Sequence, residues 1–302
     1  MSMFSYKEFH FDFVGKKKIW YIIALLFIVP GLVLMAFSGL NLGLDFTGGS
    51  ILEVTFDTDA DLADVRAIVT ENVSHNPAVN ESDDNHFTIR TEELEEEDSQ
   101  ALVDALSALG EVTVQRSDRI GPVIGQELLR NAQLALLIAG ALMLLYITIR
   151  FKFNYALTAI MALGHDILVL LSMFAILRVE VDSAFIAALL TTIGYSINNT
   201  IVVYDRIREN QTYKGRMEPA ALVNNSINET LTRSINTTIA VLILLFALFI
   251  LGGDTTKNFV LAMIIGLCAG FFSSCFLAGN LLLEVSKWIR MDLAGNRKRI
   301  QK

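Results

Sequence analysis

Residues 19–40 read IWYIIALLFIVPGLVLMAFSGL, a run of 22 residues without a charged side chain. A helix needs about 20 apolar residues to cross the hydrocarbon core of a membrane with its backbone polar groups paired. The run therefore predicts a membrane-spanning helix. We expect it to be retained rather than cleaved, because it is too long for a signal-peptide core and lacks an Ala-x-Ala site.

Five more stretches have the same character: residues 131–150, 153–177, 183–204, 233–253 and 258–284. Ionisable side chains occur only at their ends, except for His165 and Asp166 inside the second of these stretches. A hydrophobic content of 53% and a mean hydropathy of +0.49 exceed soluble usage. The sequence predicts a polytopic α-helical membrane protein with six transmembrane helices.

Basic residues indicate the orientation, because Lys and Arg stay cytoplasmic in short loops. Only Arg178 and Lys257 lie in the two short loops on one side. The other side carries Lys7, Lys16, Lys17, Lys18, Arg150, Lys152, Arg206, Arg208, Lys214, Arg216 and the basic tail. We therefore expect the N-terminus (1–18), the link at 205–232 and the tail (285–302) to be cytoplasmic, in a cell inner membrane.

The one long connection outside the cytoplasm, residues 41–130, predicts a small extracytoplasmic domain. Alternating and helical periodicities indicate strands at 50–57, 86–91 and 111–116 and helices at 61–72 and 94–109. With a further strand near 78–80, this order matches a ferredoxin-like α+β unit. Its acidic run is interpreted as a solvated helix face, which also argues against nucleic acid as a partner.

Two helical features concern packing. In the link, Pro219 predicts the start of an amphipathic helix along the membrane surface. The last span carries a small residue at every fourth position, a pattern that lets another helix approach closely, either within this bundle or from a partner subunit. These small residues are Ala262, Gly266, Gly270, Ser274 and Ala278.

Polar residues inside the spans need a reason, since an ionisable group there costs roughly 2.5 kcal/mol or more at the bilayer centre. Ser, Thr and Asn in spans four and five, including Asn198 and Asn199, can simply bond across helices. Asp166, beside His165, and Arg233 are interpreted as functional. We expect an ion relay in which protonation of a carboxylate changes its attraction to a neighbouring cation.

Other chemistry has little support in the sequence. The four histidines, at 10, 75, 86 and 165, lack metal-ligand spacing, and no Gly-rich loop ends in Lys-Ser or Lys-Thr. Cys268 and Cys275 lie on one predicted helix and form no disulfide framework. The sequence predicts no metal, no cofactor and no ATPase or hydrolase activity.

The heptapeptide from Gly43 to Gly49, with Asp45, Phe46 and Gly48 inside it, resembles the signature of the SecD/SecF family of protein-export membrane proteins. Further resemblances occur in order along nearly the whole chain. They are Gly164-His165-Asp166, the Gly194 segment at 193–198, the segment 205–210 that begins Asp205-Arg206, and 230–237.

The resemblance implies a fold like half of an RND transporter, paired pseudo-symmetrically with SecD and associated with the SecYEG channel and the motor SecA. It also implies use of a proton or sodium gradient to promote preprotein translocation. Two other functions stay open: a gradient-independent structural chaperone of the Sec channel, and an RND-type small-molecule exporter. A single exported domain of 90 residues argues against the exporter.

One position departs from the family pattern. Where the family usually reads Ser-Ile-Asn-Asp-Thr, this chain has Asn199 after Asn198. The resemblance makes Asn199 the ion-site position and Arg233 its electrostatic partner, but an amide does not exchange a proton near neutral pH. Either the chain relies on Asp166 or a SecD carboxylate, or the amide is an engineered mimic of the protonated acid.

Overall fold

The computed structural model describes residues 11–73, 77–82, 85–213 and 217–288. Predictions that concern His10, His75, Lys7, Lys214, Arg216 and most of the basic tail lie outside the described residues. The chain forms two compact units, one of residues 42–134 and one of residues 1–41 with 135–302.

The elements follow one another in chain order. They are α1 (Lys17–Ser38), α2 (Leu44–Thr47), β1 (Gly49–Phe56), α3 (Leu62–Asn72), β2 (Ala78–Ser82), β3 (His86–Thr91), α4 (Glu96–Leu106), β4 (Val112–Ile120), α5 (Pro122–Arg150), α6 (Phe153–Leu177), α7 (Ser183–Tyr213), α8 (Pro219–Leu251), α9 (Asp254–Phe272), a π-helical turn (Ser273–Leu277) and α10 (Ala278–Trp288).

The smaller unit is the predicted α+β domain. Its strands pair antiparallel in the order β2-β3-β1-β4, which with α3 and α4 gives the ferredoxin-like succession βαββαβ. The strand expected near 78–80 is β2. The core forms because alternate residues of β1 and β3 face the apolar stripes of α3 and α4; it includes Leu52, Val54, Phe56, Phe87, Ile89, Val65, Val69, Leu102 and Leu106.

The glycine-rich heptapeptide forms the entry to this domain. The Gly43 carbonyl accepts a hydrogen bond from the Phe46 amide at 3.0 Å, which closes the short turn α2. Gly48 and Gly49 then adopt φ of +70° and +122°, values that side chains disfavour. A Cβ on Gly49 would also collide with the Thr91 carbonyl of β3. The two glycines therefore allow β1 to begin directly after the turn.

The larger unit contains the predicted spans. In the part of the chain that is described, six helices are long and apolar enough to cross a membrane: α1, α5, α6, α7, α8, and α9 continued through the π turn into α10. About half of α6 and α7 is buried, whereas α5 and α8 expose large apolar side chains. Such exposure is expected where the surrounding solvent is lipid.

The link between spans four and five differs from the prediction. A helix does begin at Pro219, as predicted, but it is not a separate surface helix: α8 runs unbroken to Leu251 and merges the amphipathic segment with the fifth span. Its 33 residues correspond to about 50 Å of helix. Between Pro219 and the end of α8 there is no further Pro and no Gly, so nothing in the sequence interrupts the helix. Likewise α7 continues past residue 204 to Tyr213.

The stripe of small residues on α9 packs inside this bundle. A Cβ on Gly266 would lie 2.7 Å from Thr192 Cγ2, and one on Gly270 would lie 2.7 Å from Ser196 Cβ. Of the two packing alternatives, the contacts of α9 with α7 therefore support the first, within one subunit.

The segment before α1 is bound to the start of α8. Asn224 accepts hydrogen bonds from the Phe13 amide at 2.8 Å and the Val14 amide at 3.3 Å, and donates to the Phe11 carbonyl at 3.1 Å. Trp20 donates to the Phe13 carbonyl at 3.0 Å, and the Phe13 ring is buried. These bonds connect the chain entering the first span to the merged helix α8.

Candidate functional site

Asp166 lies in the middle of α6 and is the centre of the site. Its residue is 6% exposed, so the carboxylate is removed from solvent. Asp166 Oδ2 accepts hydrogen bonds from Ser196 Oγ of α7 at 2.5 Å and from Ser273 Oγ of the π turn at 2.9 Å. Its Oδ1 lies 2.9 Å from His165 Nδ1. The carboxylate thus gathers three bonds from three elements, which offsets the cost of burying it.

The π-helical turn presents two successive serines to the neighbouring helices. Ser273 bonds the carboxylate, and Ser274 Oγ lies 2.9 Å from Thr200 Oγ1 and donates to the Ser196 carbonyl at 3.3 Å. Single π turns in α-helices occur frequently at functional sites. Ser273 was missed by the sequence analysis, although it adjoins Ser274 of the small-residue stripe.

Asn199 is buried on α7, one helical turn from Ser196. It is 5% exposed, and its Nδ2 atom has no hydrogen-bond partner among the described residues. The Thr238 hydroxyl on α8 is also buried and has no hydrogen-bond partner among the described residues. Buried polar atoms without partners are rare and call for an explanation, such as a structural water or an ion.

Arg233 and Asn198 do not join the site. Both side chains are exposed at the surface of the bundle, whereas Ser234, the next residue after Arg233, faces inward. Successive residues of a helix point about 100° apart. Among the described residues, the predicted pairing of Arg233 with Asp166 or Asn199 is therefore not formed.

The Asp205-Arg206 motif on α7 forms ion pairs with α5 and α8. Asp205 Oδ1 lies 3.4 Å from Arg150 Nη2 at the end of α5, and Arg206 Nε lies 2.5 Å from Glu229 Oε2 of α8. Arg206 also pairs with Glu209 at 2.6 Å.

Gly194, another residue of the family motif, lies on α7, and a Cβ at this position would meet nothing within 4 Å. Packing inside this chain gives no reason for a glycine at that position.

Comparison with known proteins gives two family models. The model described as "Protein export membrane protein SecD/SecF, C-terminal" matches residues 101–288, and the "SecD/SecF GG Motif" matches residues 33–60. The second match contains the heptapeptide that forms the entry to the α+β domain.

Curated relatives carry the name protein translocase subunit SecF. One from Acidaminococcus fermentans is 39% identical over 289 residues, which cover 93% of this chain and 99% of the relative. Another, from Vibrio alginolyticus, is 34% identical over 280 residues, covering 90% of this chain and 89% of the relative.

Solved structures agree with the sequence relatives. The crystal structure of SecDF from Thermus thermophilus, described as a translocon-associated membrane protein, matches with a TM-score of 0.84 and 33% identity over 93% of this chain. The super-membrane-facing form of SecDF matches with a TM-score of 0.69 and 32% identity. This chain spans 39% of the length of each SecDF chain. The chain belongs to the SecD/SecF family of protein export membrane proteins.

Proposed function

We propose that this multi-pass translocase subunit, together with a SecD partner, uses the transmembrane proton or sodium gradient to promote preprotein translocation across the inner membrane. The observation that carries the proposal is the buried Asp166 carboxylate, bonded from α6, α7 and the π turn. An intramembrane carboxylate is costly to maintain for packing alone.

The geometry suggests how ion uptake by Asp166 would affect the helices. As a carboxylate, Asp166 accepts from both Ser196 and Ser273 on a single oxygen. A protonated carboxyl group becomes a donor at one oxygen. A proton on Oδ1 would change only the contact with His165 Nδ1, whereas a proton on Oδ2 would require the Ser196 or Ser273 hydroxyl to turn or move away. Because α7 and α9 are in close contact beside Ser196, that rearrangement would act on the helix pair as a whole.

Asn199 and Arg233 enter the proposal in different roles. Asn199 marks an ion-site position where an amide stands in place of the family's usual acid, and its buried Nδ2 has no partner in the described chain. Arg233 is exposed on α8, and this exposure supports the proposal that it pairs with a carboxylate of the SecD partner. His165 would orient Asp166, and Asn198 would lie on the partner-facing surface with Arg233.

Orientation and further partners belong to the same proposal. Lys17 pairs with Glu284 at 2.9 Å, and Arg150 pairs with Asp205, so basic residues gather at the ends of the helices opposite Arg178. Under the positive-inside rule this distribution supports cytoplasmic termini and an exported α+β domain. The channel SecYEG, the motor SecA and an unfolded preprotein are the partners that family membership suggests.

Preprotein translocation into vesicles tests the coupling. The vesicles would contain the chain and its SecD partner, with and without an imposed proton or sodium gradient. We expect Asp166→Asn to abolish the gradient-dependent increment and to leave gradient-independent translocation intact. Ser172→Ala, which removes a different buried bond of α6, to the Ile28 carbonyl, is the matched control.

Two further variants separate the alternatives. If translocation becomes gradient-dependent only in Asn199→Asp, the ion site is at that position and the present chain represents a locked, protonated-like state. A full gradient response in Asp166→Asn would exclude Asp166 as the coupling group, and a normal response in Arg233→Ala would exclude the pairing with SecD. If no variant responds, the structural-chaperone function, which the amide at 199 favours, replaces ion coupling.

A further inference from the structure

An apolar groove runs between α1, α6 and α9 on the surface of the helical bundle. Its volume is about 280 Å³, and of the residues that form the Asp166 site only His165 lines it. With the exception of His165, its lining is apolar or weakly polar, and includes Phe27 of α1, Val169 and Met173 of α6, and Ile265, Cys268 and Ala269 of α9.

The lining includes the ring of His165. The His165 side chain is 9% exposed, and its Nδ1 is engaged with Asp166 Oδ1. Its Nε2 is buried and has no hydrogen-bond partner in the described parts of the chain. The ring also stacks against Phe272, with centroids 5.7 Å apart. The His165 ring thus contacts the Asp166 carboxylate through Nδ1 and has no partner among the described residues at Nε2.

The position and size of the groove restrict what can occupy it. His165 is near the middle of the 25-residue helix α6, so the groove lies at the depth of the hydrocarbon core rather than of lipid headgroups. Its volume is just below the 300–1,000 Å³ that is typical of sites for drug-sized ligands. A cluster of waters is disfavoured, because each buried water needs two to four polar partners and the lining supplies very few.

We propose that this groove binds one hydrocarbon chain of a bilayer lipid, which covers the His165 ring from the membrane side. The chain would exclude water from Nε2 of the ring. The binding itself does not depend on ion coupling, and it is tested without any translocation assay.

Fluorescence quenching by lipid tests the occupant. Phe27→Trp places an indole in the groove of the full chain in nanodiscs, and phospholipids brominated at mid-chain serve as quenchers. Emission of the parent, which contains Trp20 and Trp288, is subtracted. Ala269→Leu in the same background fills the groove, whereas Ala141→Leu adds the same bulk to an exposed position of α5.

We expect strong quenching of the added indole, loss of most of that quenching with Ala269→Leu, and no loss with Ala141→Leu. Equal quenching in all three proteins would overturn the proposal, because it would show only the lipids that surround any membrane helix. Absence of quenching in the unfilled protein would also overturn it, since a protein helix or water would then cover the groove.

Native mass spectrometry provides an independent measurement on the unlabelled chain. One phospholipid should remain bound after detergent transfer to the parent and to Ala141→Leu, and should be lost in Ala24→Leu, which fills the α1 side of the groove. Retention of the lipid in Ala24→Leu would contradict the proposal even if Ala269→Leu failed to fold.

Discussion

Replacing Gly270 by alanine should separate α9 from α7 at the point where the Asp166 site is held. The added Cβ would lie 2.7 Å from Ser196 Cβ and 2.9 Å from Ser196 Oγ. Ordinary van der Waals contact begins at 3.4 Å, so the two helices must move apart by about 0.7 Å in a tightly packed interface. Moved in that direction, the Ser196 hydroxyl would weaken its 2.5 Å bond to Asp166.

The free energy follows from two opposing effects. Overpacking a closely packed site costs about 1–3 kcal/mol, while replacing glycine by alanine within a helix gains about 0.5–1 kcal/mol. Gly194 of α7 provides the matched control, because a Cβ there meets nothing within 4 Å. The helix-propensity gain is common to both variants and cancels in their comparison. The difference between Gly270→Ala and Gly194→Ala should therefore be about 1–3 kcal/mol.

The assay is unfolding of the purified full-length chain in detergent, followed by circular dichroism and Trp emission. Gly194→Ala should be as stable as the parent or slightly more stable, and Gly270→Ala should unfold at lower temperature or denaturant. Equal stability of the two variants would refute the close α7–α9 contact on which the packing of the site is argued.

Three other variants have definite expectations. Phe87→Ala empties a fully buried position of the α+β domain and should destabilise it by about 3–5 kcal/mol, seen as faster amide exchange throughout residues 42–134 of the full chain but not in the bundle. Asn224→Ala removes three hydrogen bonds to the segment before α1 and should speed amide exchange at residues 11–14. Asn225→Ala is the control and should leave that exchange unchanged. Equal exchange rates at residues 11–14 in the two variants would contradict the anchoring of this segment by Asn224. Arg206→Ala breaks solvent-accessible ion pairs and should change the free energy of unfolding by no more than about 1 kcal/mol; a larger loss in chemical denaturation would show that the pairs act as a buried network.

Local sequence predicted most elements of this protein, but not the continuation of α7 to Tyr213 or the merger of the link with the fifth span in α8. Long apolar runs predicted the six spans, because a segment in lipid must pair its own backbone and only a helix does so within one segment. Alternation of period two predicted the strands at 50–57, 86–91 and 111–116 of the α+β domain.

Tertiary structure decided which side of each helix faces the site. In water, a polar face marks the outside of a helix, but in a membrane the lipid is as apolar as the bundle core. The sequence pattern of spans four and five therefore could not show that Asn199 and Ser234 are buried while Asn198 and Arg233 are exposed.

The composition of the Asp166 site also depended on the tertiary structure. Ser196 lies 30 residues after Asp166 in the chain, and Ser273 lies 107 residues after it. No local periodicity connects the three residues. A π turn, which packs against α6 and α7, brings Ser273 to the carboxylate. The sequence by itself determined where the helices and strands lie, because each responds to its own backbone and solvent. Which face of each helix packs against its neighbour was determined only by close contacts, such as that of Gly270 on α9 with Ser196 on α7. Within lipid, helices select their partners by shape rather than by hydrophobicity.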